Sequence, residues 1–105
     1  MATGRLGAAN LNTGTNTTVY TTPASTYSVV TVSMCNRDNS ACAVRLAVAA
    51  ADVPLDSEWV EYDTEVLSKG VLERTGLVLD AGKKLVAWTS TGNMSVVVMG
   101  IETAV

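Results

Sequence analysis

The chain has 105 residues, a net charge of −3 and no histidine, and apolar side chains make up 48% of it. This length predicts one domain with a substantial core, and the apolar content excludes a chain that is disordered throughout. The negative charge and scattered Lys and Arg exclude a basic nucleic-acid-binding surface, and no apolar run is long enough to span a membrane.

The N-terminal segment, residues 1–16, is rich in Gly, Ala, Asn and Thr. Because it offers only Leu6 and Leu11 as apolar anchors, it is predicted to be an extended arm beside a domain formed by residues 17–105. The two leucines are predicted to fill pockets on a neighbouring subunit, and Arg5 to pair with a carboxylate there. The segment also lacks the continuous apolar stretch of a signal peptide, which predicts a protein that matures in the cytosol.

Beyond this segment, alternating apolar and polar residues predict short β-strands separated by turns. In chain order the predicted strands are TTVYTT, YSVVTVSMCN, CAVRLAVAA, EWVEYDTEVL, VLERTGLVL, KLVAWTST and MSVVVMGIE. Gly76, inside the fifth of these, predicts a bulge or bend. The last strand is apolar at both parities, which predicts that both of its faces are covered.

These strands, with no helical period among them, predict an all-β fold. Their number and spacing favour an antiparallel β-sandwich of the jelly-roll or immunoglobulin-like kind. One parity of each strand is expected to face the core. The predicted core consists of Val30, Val32, Met34, Val44, Leu46, Val48, Tyr62, Leu85 and Val96.

Two cysteines, Cys35 and Cys42, flank the polar loop NRDNSA. A disulfide across the hairpin is one interpretation, but the alternation of side chains between the two faces of each strand argues against it. Cys35 has the parity opposite to the apolar residues of its strand, whereas Cys42 shares the apolar parity of the next strand, so the thiols should lie on opposite sides of the sheet. A reducing cytosol also disfavours the bond, and free thiols are predicted.

The densest charged stretch consists of Asp56, Glu58, Glu61, Asp63 and Glu65. Paired carboxylates can act on a glycoside or hold calcium, but no calcium-loop motif is present. The alternation of the last three is explained more simply as the solvent-exposed face of one strand. Ser and Thr nucleophiles would lack a histidine base. We therefore expect no catalytic residue, no metal site and no cofactor.

Aromatic side chains offer a further kind of chemistry, because they can stack on a sugar ring. In a sandwich they more often belong to the core or to an interface. The aromatic residues are Tyr20, Tyr27, Trp59, Tyr62 and Trp88.

Three segments, in this order, resemble small structural proteins of tailed-phage particles. The first is TNTTVYTTPASTYSVVTVSMCNR, with a Thr-rich start, a Pro-Ala turn, a strand and Cys-Asn-Arg at the loop. The second is EYDTEVLSKGVLERTGLVLDAGKKLVAWTST, and the third is the closing strand VVVMGIE. The resemblance covers roughly residues 3–103, and the order of the segments is more specific than any one of them.

The resemblance implies a virion component on the tail, baseplate, fibre or capsid surface, assembled in the host cytoplasm. Such a protein binds other virion proteins, forms homo-oligomers within the particle and in some cases binds a host-surface glycan. Neither nucleic acid nor a membrane is expected as a partner, and the resemblance transfers no catalytic residue. A stand-alone carbohydrate-binding module and a capsid cement protein remain open as other classes.

Overall fold

The structure, a computed structural model, describes residues 2–105. Within that range eight strands form two four-stranded antiparallel sheets, and a short 3-10 helix at Asp56–Glu58 precedes the fifth strand. The strands are β1 Thr3–Leu11, β2 Thr17–Thr21, β3 Thr26–Asn36, β4 Cys42–Ala49, β5 Trp59–Val66, β6 Val71–Leu79, β7 Lys84–Thr89 and β8 Met94–Ala104.

The strand order identifies the kind of sandwich. Sheet A has the order β1-β8-β3-β6, and sheet B has the order β2-β7-β4-β5. Each strand in the first half of the chain pairs with one in the second half: β1 with β8, β2 with β7, β3 with β6 and β4 with β5. These are the pairings of one long hairpin rolled into two sheets, which is jelly-roll connectivity. The predicted antiparallel β-sandwich is confirmed.

The core lies between the two sheets and is built from alternate residues of the strands. In β3 the inward residues Val30, Val32 and Met34 are almost completely buried. The predicted core is confirmed except at two positions. Val48 is half-buried and still packs against the core cluster, whereas Tyr62 is 56% exposed and does not belong to it.

The prediction for Tyr62 was wrong because β5 contains a β-bulge. Between two pairings with β4, β5 has two residues, Tyr62 and Asp63, where β4 has only Arg45. Asp63 adopts a positive φ of 53°, a conformation that Asp tolerates better than most residues. The extra residue shifts the alternation, so Tyr62 lies on the outer surface and Glu61 is half-buried. The predicted solvent-exposed face was therefore wrong for Glu61.

A second bulge was predicted correctly. Gly76 in β6 has a φ of 70°, and the register of β6 with β3 shifts between Val30 and Val32. Glycine adopts positive φ without steric cost, which is why the sequence reveals this bulge and not the one in β5.

Residues 3–11 form the edge strand β1 of sheet A, which corrects the predicted arm. The main chain of β1 pairs with β8 along its length, with a bulge after Arg5. Leu11 is 2% exposed in the core, and Leu6 packs against the same cluster. Since β8 supplies hydrogen-bond partners for the backbone, two leucines are enough to hold β1 against the core. The predicted boundary at residue 17 therefore does not separate an arm from the sandwich.

Polar side chains close the two open edges of the sandwich. At the β1–β2 edge, the Tyr20 hydroxyl donates to the Glu102 carboxylate across 2.6 Å and so joins sheet B to sheet A. Glu102 also accepts a bond of 3.1 Å from the backbone N–H of Ala2. At the opposite edge, Arg74 of β6 donates to Glu61 of β5. Each edge is thus joined by a charge-assisted hydrogen bond.

The two cysteines lie as parity predicted. Cys35 is half-buried on the outer face of sheet A, paired with Val71 on one side and Ser95 on the other. Cys42 is buried in the core cluster. Both thiols are free, and the parity argument is confirmed.

Replacing Leu11 by Ala tests whether β1 belongs to the sandwich. Leu11→Ala leaves a cavity between the sheets, so we expect the free energy of unfolding to fall by about 2–5 kcal/mol. Urea denaturation followed by tryptophan fluorescence measures the change. The matched control is Leu67→Ala, at an exposed leucine, which should leave stability nearly unchanged. Equal stability of the two variants would contradict the placement of β1 in the sandwich and would support the predicted arm.

The bond between Tyr20 and Glu102 predicts a contribution to stability that acid removes. Burial and the bond to Glu102 raise the pKa of Tyr20. The hydrogen bond from Tyr20, together with the N–H of Ala2, lowers the pKa of Glu102 below its ordinary value of 4.5. A carboxyl group whose pKa falls on folding stabilises the folded state above its unfolded pKa. That contribution is lost as pH falls through the folded pKa.

Tyr20→Phe should therefore be less stable than the wild type near neutral pH, and the difference should shrink as pH falls below the ordinary pKa of Glu102. Thermal unfolding measured from about pH 7 down to about pH 3 gives this difference. Tyr27→Phe, on the outer face of sheet A, is the control. A difference that persists unchanged in acid would contradict the role of the Glu102 carboxylate.

Candidate interaction surfaces

The outer face of sheet A carries exposed apolar side chains on its two central strands and on the edge strand β6. Met99 and Ile101 of β8 are 38% and 48% exposed, and Val78 of β6 is 63% exposed. Within a single chain, the prediction that both faces of the last strand are covered was therefore wrong. We name this surface the apolar face. It comprises Tyr27, Val29, Val71, Val78, Val97, Met99 and Ile101.

Cross-strand pairing makes the apolar face continuous. Val29 of β3 pairs with Ile101 on one side and with Val78 on the other, so three apolar side chains stand next to one another across the sheet. Paired residues share a face of an antiparallel sheet and lie in contact range. Met99 lies in the adjacent row of the same face. The result is one apolar patch rather than scattered residues.

Two charged side chains border the apolar face on opposite edge strands. Arg5 of β1 pairs with Met99, and Glu73 of β6 pairs with Ser33. Both side chains are exposed. Among residues 2–105, the ion pairs involve neither of them. A cation on one side of the patch and an anion on the other are thus available to a partner.

Of the three residues predicted to contact a neighbouring subunit, only Arg5 lies on an exposed surface. Leu11 is buried in this chain's own core, and Leu6 packs against it. Neither leucine is free to fill a pocket elsewhere in this fold. The sequence did contain a signal for the apolar face, namely the double apolar parity of β8, but that pattern was interpreted as a covered strand.

The outer face of sheet B carries a different group, the aromatic cluster, formed by Arg45, Trp59, Tyr62 and Trp88. The Arg45 guanidinium lies 4.2 Å from the ring centroid of Tyr62 and 4.0 Å from that of Trp88. Trp59 meets Tyr62 edge-on, with centroids 5.4 Å apart and planes at 72°. The Nε of Arg45 donates to the Asp63 carboxylate across 2.6 Å. These contacts fix the guanidinium between two rings and a carboxylate.

The bulge in β5 is what assembles the aromatic cluster. Because Tyr62 and Asp63 both oppose Arg45, a ring and a carboxylate reach the same guanidinium from one strand. Trp88 reaches it from β7 as the direct pair of Arg45. The hydrogen bond to Asp63 raises the pKa of Arg45. A guanidinium is cationic at physiological pH even without this bond, as cation–π contact requires.

A shallow depression lies beside the aromatic cluster. It measures about 390 Å³ and is lined by Asp56, Trp59 and Tyr62. The connection between β4 and β5 forms its wall, and Glu58 braces that connection by accepting hydrogen bonds from the backbone N–H groups of Ala50 and Leu55. An exposed ring beside a carboxylate can contact the C–H face and a hydroxyl of a sugar.

The predicted carboxylates are spread among structural roles. Glu58 accepts backbone hydrogen bonds, Glu61 pairs with Arg74, and Asp63 pairs with Arg45. In the part of the chain that the structure describes, no group of three or more His, Cys, Asp and Glu side chains is placed to hold a metal ion. The carboxylates therefore define no site of their own, and the apolar face and the aromatic cluster are the candidate interaction surfaces.

Compared with known proteins, the chain matches no family model, no curated protein and no solved structure. Between residues 2 and 105, no helix has the length and apolar character that crossing a membrane requires. A functional assignment therefore rests on the chain's own sequence pattern and on the geometry of its two outer faces.

Proposed function

We propose that the chain is a non-enzymatic structural protein of a tailed-phage particle, which binds neighbouring virion subunits through its apolar face. The observation that carries the proposal is an apolar row in which the half-buried Val29 lies between the exposed Val78 and Ile101, with the exposed Met99 beside it. Large contiguous apolar patches are uncommon on monomeric proteins and often mark an interaction site. In the virion such a protein acts by position and contact, without a chemical step.

Two further arguments support this proposal. The ordered resemblance to tailed-phage structural proteins extends over roughly residues 3–103. The jelly-roll architecture also occurs in viral capsid proteins, although lectins share it, so the fold by itself does not decide between functions. Both arguments are weaker than the argument from the apolar face, because the apolar face is a feature of this chain's own structure.

Burial of the apolar face would supply a useful binding energy. Removing the exposed parts of Val78, Met99 and Ile101 from water would contribute about 2 kcal/mol each, at about 25 cal/mol per Å². Surrounding side chains add to this sum, while the cost of association subtracts from it. The net binding free energy of one such contact is enough for a subunit that several neighbours in a particle hold at once.

Incorporation into particles tests the proposal. In phage grown from the genome that encodes the chain, Ile101→Lys should fold normally but be depleted from purified particles, because a charge would be buried at the contact. Val53→Lys, at an exposed apolar residue of the β4–β5 connection, is the matched control and should be incorporated. Circular dichroism confirms folding, and quantitative mass spectrometry gives copies per particle.

Two results would contradict the proposal. One is the absence of the wild-type chain from purified particles. The other is equal incorporation of the Ile101→Lys and Val53→Lys variants. The number of copies per particle then indicates where the chain lies in the virion. A high number indicates capsid decoration, and a low one indicates a tail component.

A carbohydrate-binding module is the second candidate function, and the aromatic cluster favours it. Tyr62 is exposed beside the depression that Asp56 and Trp59 also line. Arg45 covers one face of the Tyr62 ring, so only the remaining surface of the ring is available for stacking. The glycan would be a host-surface polysaccharide, bound through one or two rings and therefore weakly.

Binding of purified host-surface polysaccharide, measured by calorimetry, tests this second candidate. Tyr62→Ala should abolish the heat of binding, since the exposed ring is lost, whereas Tyr27→Ala on the outer face of sheet A should preserve it. Wild-type protein that gives no heat with the polysaccharide would leave the aromatic cluster as a structural feature of sheet B.

A further inference from the structure

We propose that the apolar face binds a second copy of this chain, face to face, about a two-fold axis that runs parallel to the strands of sheet A. This inference rests on the proposed function, because it names the first subunit that the apolar face meets. The argument comes from where the two bordering charges stand, from the size of the sheet and from the position of Cys35.

The two charges are placed for reciprocal pairing. Arg5 lies in β1 and Glu73 in β6, which are the two edge strands of sheet A. A two-fold axis parallel to the strands lays β1 of one copy over β6 of the other. Each Arg5 then faces Glu73 of the second copy, and the two contacts form together, as a self-complementary interface requires.

The positions of Arg5 and Glu73 along the strand direction also allow this pairing. Arg5 stands in the row of Met99, and Glu73 stands in the row of Ser33 and Val97, which is the next row on the same face. Adjacent rows on one face are about 7 Å apart. An arginine side chain spans that offset, so the pair can form without sliding the sheets out of alignment.

Charge disfavours the alternative two-fold axis, which also lies between the two sheets but runs perpendicular to the strands. A two-fold axis perpendicular to the strands lays β1 over β1 and β6 over β6. Each Arg5 then approaches Arg5 of the second copy, since it stands near the middle of the sheet along the strands. Like charges placed opposite one another across an interface oppose association. The charge pattern therefore selects the parallel arrangement.

The outer face of sheet A is about the right size for such a contact. Four strands of nine to eleven residues at a spacing of about 4.8 Å cover about 600 Å² in projection. Because side chains protrude from the sheet, the accessible area of that surface is larger than its projected area. A standard specific interface buries about 800 Å² per partner, so the face of one sheet suffices.

Cys35 provides a native reporter of the arrangement. It lies on the outer face of β3, one of the two central strands, near the end of the strand. With sheets about 10 Å apart, the parallel axis places the two Cys35 Cα atoms about 11 Å from each other. The perpendicular axis sends them to opposite ends, more than about 20 Å apart. Cys42 is buried and should not interfere.

Charge exchange tests the pairing. Analytical ultracentrifugation should show wild-type dimers, and Arg5→Glu and Glu73→Arg should each weaken dimerisation by about tenfold or more, because each puts like charges in contact. The double variant Arg5→Glu/Glu73→Arg should recover wild-type affinity to within about threefold. Glu65→Arg, an exposed change of the same charge on sheet B, is the matched control and should have no effect.

Cross-linking tests the axis. A short bismaleimide reagent added to the full-length wild type should join Cys35 to Cys35 and give a covalent dimer, which Arg5→Glu should reduce. Wild-type protein that stays monomeric and uncross-linked, or a double variant without recovery, would overturn the inference.

Particle composition separates this inference from the proposed function. A chain that is monomeric in solution but is incorporated through the apolar face would overturn only the second copy as partner. A chain that dimerises with recovery by charge exchange but is absent from purified particles would overturn only the virion role.

Discussion

The antiparallel pairing of β3 with β8 is the interaction on which the rest of the structure depends. It runs from Thr26 opposite Ala104 to Asn36 opposite Met94 without a register shift. β1 and β6 attach to the two outer sides of this pair, and the bulges of sheet A fall in those attachments. Because side chains alternate with a period of two, this one register decides which residues form the core and which form the apolar face.

β8 alone could not fix that register. Its residues from Val96 to Met99 are apolar at both parities, so either face of the strand could be buried. β3 supplies the distinction, since Thr31 and Ser33 alternate with fully buried valines. Exposure of the apolar face is thus a consequence of β3, and the second apolar parity of β8 is not needed by the fold. The contact proposed with a second copy would explain why β8 is apolar on its outer face as well.

Sequence reasoning succeeded where the information is local and failed where it is distant. Alternation within β3 and the glycine in β6 are properties of single strands, and both were predicted. The membership of β1 in the sheet depends on hydrogen bonds to residues more than eighty positions away, which its own poor apolar content does not reveal. The β5 bulge depends on Asp63 at positive φ, for which the sequence carries no glycine to mark it.

The two outer faces of the sandwich differ in chemistry, and this difference bears on how the two candidate functions relate. The apolar face has two charges at its borders, whereas the aromatic cluster combines a stacked Arg45 with Asp63 and an exposed Tyr62. These surfaces lie on opposite sides of the molecule, because they are the outer faces of two packed sheets. A chain bound to its neighbours through the apolar face would therefore turn the aromatic cluster toward solvent, where a glycan could reach it. Subunit binding and glycan binding would then be compatible in one particle.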